Sequence, residues 1–251
     1  MDKSILQISS QNIKMLGFSK SVIKNKRVRI NKKTYFLNSP ELLKSDLKRK
    51  DLYIVLEQEN IYTKNITIPQ ISRNLIYDLL EYELINSFNS IENIIYSYKV
   101  IKEDEENIEI LIYYCSSDSL KFLRSMSSAN IKHVSLIQFC AATYFSSRIT
   151  DKKYILTIYF NKYMYLLYIC EEKLLANKVI RTLEKENYDV SKIYNQLNFE
   201  EGELNVYFAS LDEDYSIDST EDNYNYISLG KVSLERIYET VVLGEKQHGR
   251  L

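Results

Sequence analysis

Glycine is close to absent from this sequence. There are five in 251 residues, Gly17, Gly202, Gly230, Gly244 and Gly249, and none lies between positions 17 and 202. Average usage is about 7%. Loops that cradle phosphate rely on glycine, because a residue without Cβ lets successive backbone N–H groups close on the anion. The scarcity argues against such a loop over most of the chain. Part of it is compositional: abundant Ile, Asn, Lys and Tyr point to an AT-rich coding sequence, which disfavours Gly, Pro and Ala codons.

Other shortages exclude further chemistry. Two histidines occur, His133 and His248, neither with a Cys, His or carboxylate at metal-ligand spacing. The three cysteines, Cys115, Cys140 and Cys170, are odd in number and far apart, a poor disulfide framework that fits a reducing compartment. Each sits in an apolar run and is expected to be a buried thiol. No GxSxG, HExxH, GxxxxGK[ST] or GxGxxG motif occurs, so no catalytic, cofactor or metal residue is expected. The longest apolar run, residues 163–170, falls far short of the ~20 needed to span a bilayer. The N-terminus, MDKSILQISS, has no apolar h-region. The expectation is a cytoplasmic protein that reaches the membrane through a partner. Thirty-three basic against 34 acidic residues leave a net charge of -1, without bulk attraction for nucleic acid or acidic lipid.

What remains is an ordinary globular composition, 45% hydrophobic and 27% charged, long enough for one large domain or two small lobes. The aromatic content is mostly tyrosine, 22 residues with no Trp, and suits either partner contacts or half-buried strands. Residues 20–50 hold eleven Lys and Arg against Glu41 and Asp46. That stretch is either a solvated face or a patch for an acidic lipid or partner.

Residues 4–19 alternate around Ile5, Ile8, Ile13 and Met15 and predict a hairpin turning at Ser9-Ser10-Gln11-Asn12. A strand-like stretch over 22–36 precedes a short helix starting at Ser39-Pro40. LYIVL at 52–56 reads as a buried strand. A strand at 61–68 ends at Pro69, and a helix follows over 71–85. Ile71, Leu75, Leu79 and Tyr82 form one stripe of that helix, and Ile76, Leu80 and Leu84 a second. The helix is either fully buried or packs on a sheet while lining a groove. Strands at 94–100 and 109–114 flank an acidic turn at 103–106, and helices are expected at 118–128 and 135–148. The last third predicts strands at 154–160, 163–170, 173–181 and 204–209, a helix at 187–197, an acidic loop at 212–225 and a closing helix at 232–243.

In order and in local motif, this pattern resembles the type IV pilus assembly protein PilM family. The opening hairpin Leu6-Gln7-Ile8-Ser9-Ser10-Gln11-Asn12-Ile13-Lys14 is similar to that family's first phosphate hairpin, with Gln7 in place of Asp and Ser9 in place of Gly. The match is closest from Ile66-Thr67-Ile68-Pro69 through Glu81 and Glu83 to Ile91-Glu92 and Tyr96-Ser97-Tyr98, which looks like the family's inserted subdomain. At the second phosphate hairpin, Ile158-Tyr159-Phe160 stands where Asp-Ile-Gly is found. Ala209-Ser210 stands where the family carries paired glycines for adenosine.

The resemblance implies an α/β, actin-like fold of duplicated ribonuclease H-like sheets. Its divisions would be a first lobe over 1–62, an inserted α/β subdomain over 63–130, a helix returning to the first lobe over 131–150, and a reduced second lobe over 151–251. It further implies an adaptor, not an enzyme, that binds no cofactor, its phosphate stations degenerate at Gln7, Ser9, Ile158 and Phe160. Such an adaptor would sit at the inner face of the cell membrane in a pilus machine. It would bind the N-terminal tail of an inner-membrane protein resembling PilN and couple it to the assembly ATPase. The tail site implied is a groove carrying Ile66, Ile68, Leu79 and Tyr82. Two alternatives stand beside this: a divergent actin-like ATPase, and the cytoplasmic domain of a type II secretion protein resembling GspL.

Overall fold

A computed structural model describes residues 2–9, 12–19, 29–36, 43, 46–47, 50–116, 130–182, 204–211 and 224–243. Its strands form three sheets. The first five-stranded sheet contains β1 (Asp2–Ile8), β2 (Asn12–Ser19), β3 (Arg29–Phe36), β4 (Lys50–Leu56) and β8 (Asn130–Leu136), in the order β3-β2-β1-β4-β8. β1, β2 and β3 pair antiparallel; β4 and β8 join parallel to β1. The second contains β9 (Lys153–Phe160), β10 (Tyr163–Cys170), β11 (Lys173–Arg181), β12 (Asn205–Leu211) and β13 (Asn225–Val232). Its order, β11-β10-β9-β12-β13, repeats the first sheet's pattern of two antiparallel and two parallel pairings. This duplication is invisible as a sequence repeat.

The chain between β4 and β8 forms a three-stranded antiparallel sheet of order β5-β7-β6, from β5 (Tyr62–Pro69), β6 (Ile94–Glu103) and β7 (Asn107–Ser116). Helix α1 (Arg73–Phe88) covers one face of it. Period-2 alternation along β7 separates the faces. Ile108, Ile110 and Ile112 meet Ile76 and Leu80 of α1, while Leu111, Tyr113 and Cys115 join the main core. That core also takes Leu6, Ile54 and Leu56 from the first sheet and Leu156, Tyr165 and Leu167 from the second. Helices α2 (Ile137–Ser146) and α3 (Leu234–Leu243) add Cys140, Phe145, Ile237 and Tyr238.

Two turns show how a stretch without glycine bends. β9–β10 and β10–β11 are joined by two residues each, Asn161-Lys162 and Glu171-Glu172, all with positive φ between 49° and 64°. Both central residues of such a hairpin turn need left-handed geometry to match the strand twist. Asn tolerates it; Lys and Glu adopt it under strain.

Three expectations are corrected. Residues 130–136, read as part of a returning helical segment and its lead-in, are strand β8, so α2 begins at Ile137 rather than at 135. Residues 225–232 form β13, in the interval between the loop expected to end at 225 and the helix expected to begin at 232, and α3 begins at Leu234. Both are outer strands with one neighbour each, and their half-exposed, polar sequences carry no continuous apolar run. Cys170 is only part-buried at the end of β10, whereas Cys115 and Cys140 are buried. Burial pushes the last two thiols up to about 12. The helices expected at 118–128 and 187–197 lie outside the described residues, as do the start of the helix expected from Ser39-Pro40 and most of the acidic loop.

Candidate functional site

Two places were singled out by sequence: the seam between the two hairpins and a groove on the inserted subdomain. At the seam, β1 ends in Gln7 and Ile8, and β4 runs on into Glu57, whose N–H donates to the Ile8 carbonyl at 3.0 Å. Gln7 is buried and its Nε2 donates to Glu57 Oε1. From the opposite sheet, the β9–β10 turn brings Asn161 Nδ2 to 3.4 Å from Glu57 Oε2. Beside it, Tyr165 on β10 accepts the Gln58 N–H at its hydroxyl, 3.3 Å away. The hairpins do meet, and Glu57 is the residue where they meet.

Glu57 is 2% exposed. Burial pushes its carboxyl up to about 7, against the opposing pull of the Gln7 amide, the Lys14 charge and the Asn161 amide. Burial, with the Glu57 charge adding to it, also drives the Tyr165 hydroxyl well above its ordinary value. The seam thus holds an acid that changes charge near neutral pH. Among the described residues, no group of three or more His, Cys, Asp or Glu side chains gathers to hold a metal ion.

Of the four sequence-predicted stations, Gln7 lies at the seam itself. Ser9 closes the first turn, its N–H donating to Asn12 O at 3.0 Å and its Oγ accepting the Asn12 N–H at 3.2 Å. Ile158 and Phe160 are 1% and 4% exposed and belong to the main core. Sequence reasoning missed Glu57. The signal was present: a carboxylate directly continues the apolar run 52–56, where a strand buried on both faces is still in the interior.

The second place is the helix-covered face of the insert. Ile76, Leu80 and Leu84 form the buried stripe of α1, spaced four residues apart. The reading of α1 as fully buried is therefore set aside: Leu75, Tyr77, Tyr82, Ile85 and Phe88 are all exposed. Two contacts orient its flanks. Lys64 of β5 pairs with Glu83 at 2.7 Å, so that flank faces the β5 edge. Tyr77 packs on Tyr96 and Tyr98 of β6, with ring centroids at 6.2 and 5.0 Å, on the other side. Leu75, Leu79 and Tyr82, at i, i+4 and i+7, share the Glu83 side. They run beside β5, which has one neighbour in its sheet and ends in Pro69, a residue suited to an edge strand.

The four predicted partner residues fall on this flank unequally. Ile68 is 4% exposed and packs into the helix–sheet core. Ile66 and Leu79 are part-buried against that core. Tyr82 is 67% exposed. At the C-terminal end of α1 a half-open pocket of about 290 Å³ lies among Tyr62, Phe88, Ser90, Ile94, Tyr114 and Ser116. Tyr62 stacks on Tyr114 at 5.6 Å, and Phe88 meets Tyr114 at 5.4 Å. This pocket was not foreseen, because its residues come from four elements.

No family model matches the chain, and no curated protein matches it by sequence. Among solved structures, it is similar to the cytoplasmic domain of EpsL, an inner-membrane component of the type II secretion system of Vibrio cholerae. The TM-score is 0.59 at 10% identity, over 98% of this chain and 96% of that one. It is similar to a PilM–PilN type IV pilus biogenesis complex, with TM-score 0.54 at 10% identity, over 96% and 93% of the two chains. A Bacteroides thetaiotaomicron protein with an actin-like ATPase fold gives 0.50 at 13% identity, over 92% and 90%. The fold is actin-like. In an actin-like body built from twin sheets, the Gln7–Glu57–Asn161 cluster occupies the seam between the twins, and the aromatic pocket lies out on the insert. Among the described residues, no helix is long and apolar enough to cross a membrane.

Proposed function

We propose that this chain is a cytoplasmic, actin-like scaffold of a type IV pilus or type II secretion machine. It binds a short N-terminal tail of an inner-membrane protein, one resembling PilN in the pilus case, and does not turn over nucleotide. The carrying observation is the flank of α1 with Leu75 and Tyr82 exposed and Leu79 part-buried, laid beside β5, which has one neighbour in its sheet and is tied to β11 at its start through Thr63. An extended segment adding to a strand edge, with alternate side chains in apolar sites, is a common mode of peptide recognition. The near end-to-end likeness to the EpsL domain supports the secretion version as much as the likeness to PilM supports the pilus version. Coupling to an assembly ATPase belongs to the same proposal. The non-enzymatic reading draws support from the seam, where Gln7, Ile158 and Phe160 are buried among protein atoms.

The test is a titration of the protein with apolar ten-residue peptides, followed by the variants Tyr82→Ala and Leu79→Ala. Each should lose about 2 kcal/mol or more of binding free energy, the size of a hot spot. Tyr82→Ala should leave the thermal midpoint within error, because its ring has little packing to lose. Unchanged affinity in both variants, with lost stability in Leu79→Ala, would assign α1 to the core alone and move the site elsewhere.

A further inference from the structure

Charge is not spread evenly over the molecule. Residues 62–116, the inserted sheet with α1, hold nine Asp and Glu against four Lys and Arg, a net charge of −5 in a chain whose total is −1. The acids are also placed unevenly. Glu103 to Glu106 and Glu109 gather where β6 turns into β7. The Gln70 N–H donates to the Glu106 carbonyl at 2.7 Å, and Pro69 pairs with Asn107, so this turn sits beside the far end of β5. Part of it is already committed: Asp104 accepts the N–H groups of Glu106 and Asn107, and Glu103 holds Gln70 and Arg73. Glu105, Glu106 and Glu109 are exposed.

The other end of β5 is of opposite character. Tyr62 opens the strand, and there the Tyr62–Phe88–Tyr114 pocket lies, with two serines and no charged residue in its lining. β5 has eight residues, so about 26 Å separates the pocket from the acidic turn. Between them runs the apolar flank of α1. A binding edge with an aromatic pocket at one end and a net negative charge at the other selects for an occupant that is apolar at one end and basic at the other.

We infer that the β5 edge takes an extended peptide segment of mixed apolar and cationic character, its apolar end in the pocket at Tyr62, Phe88 and Tyr114 and its Lys/Arg end beside the turn at 104–106. This rests on the scaffold reading above and adds the partner's chemistry and a second anchor site. The source it commits to is the cytoplasmic stretch adjoining a membrane helix, because such stretches carry an excess of Lys and Arg. The acidic insert and the basic tail are complementary, which sets register and speeds encounter more than it adds affinity.

The experiment uses the full chain and fluorescent ten-residue peptides of alternating leucine and serine. One carries three lysines at one end, one three glutamates, and one neither; each charged peptide is made with its charges at either end. Affinity is read by anisotropy at about 0.05 M and about 0.5 M salt, where screening differs severalfold. The better lysine peptide should bind at least about tenfold more tightly than the glutamate peptide at low salt, a difference worth 1.4 kcal/mol. That gap should shrink at high salt. The combined variant Glu105→Gln, Glu106→Gln, Glu109→Gln should remove the preference and leave the uncharged peptide's affinity unchanged. Phe88→Ala should weaken all three peptides. Binding without charge preference, or with a preference that survives the triple variant, overturns this inference and leaves the groove reading standing. Binding that Phe88→Ala does not change overturns the pocket as anchor. Binding by none of the peptides overturns both readings.

Discussion

Glu57 is the residue whose chemistry departs furthest from its ordinary behaviour. Its carboxyl is pushed from 4.5 up to about 7 by burial. An acid raised in the folded state binds its proton more tightly there than in the unfolded chain. Its contribution to stability is therefore full below about pH 4.5 and is lost as pH climbs to about 7. The whole shift amounts to about 3 kcal/mol at most. Glu57→Gln should thus raise the thermal midpoint at pH 8 and give no gain at pH 4, read by calorimetry at both. A variant equally stabilised, or equally destabilised, at both pH values would mean that the Glu57 carboxyl titrates alike in the folded and unfolded chain, without the upward shift. A second residue-scale expectation concerns the Glu171-Glu172 turn. Both residues hold left-handed φ, 49° and 63°. Replacing them together, Glu171→Asn with Glu172→Gly, should stabilise the protein by about 1 kcal/mol in chemical denaturation. The loss of the Glu171–Lys173 pair, 3.9 Å apart with Glu171 well exposed, should subtract little.

At the scale of elements, what matters is how the insert is tied to the second sheet. The chain leaving β4 passes along β11. Asn177 of β11 accepts the Ile61 N–H at 3.2 Å and donates to the Ile61 carbonyl, the two bonds a neighbouring strand would make. Asn60 accepts the Val179 N–H at 3.0 Å, and Thr63 Oγ1 donates to the Leu175 carbonyl at 2.8 Å. Asn177→Ala would leave both polar groups of a buried residue without that partner, at a cost of about 2 kcal/mol. The effect should be local as well as global: amide exchange in β5 should speed up more than exchange in β1 or β12. Uniform acceleration would show that the strap carries no special share. Asn177 reads in sequence as one polar residue in a half-buried strand, KLLANKVIR, and nothing local marks it as a clip for a segment more than a hundred residues away.

For the whole molecule, the main core is shared. Leu6 and Ile54, Leu156 and Tyr165, and Leu111 and Tyr113 belong to three different sheets and one hydrophobic cluster. Neither five-stranded sheet keeps its inner face covered without the other, so thermal unfolding should be a single transition with coincident far- and near-ultraviolet signals. Two separated transitions would contradict a shared core. The same packing bears on the nucleotide question. With Ile158 and Phe160 in the core and Gln7 turned onto Glu57, calorimetry with Mg-ATP should give no binding in the micromolar range. Micromolar binding would promote the ATPase alternative over the scaffold.

Much was decided by local chemistry along the chain. The strands buried on both faces, 52–56, 154–160, 163–170 and 204–209, announce themselves as apolar runs, because both sides of each meet the interior. The existence of α1 follows from its helical spacing, and the first hairpin from its alternation. Other features had no local signature. β8 and β13 are strands because β4 and β12 offer them an open edge, and the backbone hydrogen bonds that define them lie on another segment. α1 carries two apolar stripes of similar hydrophobicity, and packing against β7 chose Ile76 and Leu80 over Leu75 and Tyr82. Glu57 is an ordinary acid until Gln7, Asn161 and Tyr165 close around it from positions 50, 104 and 108 residues away. Sequence determines what each segment can bury. Which surface is actually buried, and which carboxylate is held in the interior with a shifted pKa, depends on contacts between distant segments, and those exist once the sheets are assembled.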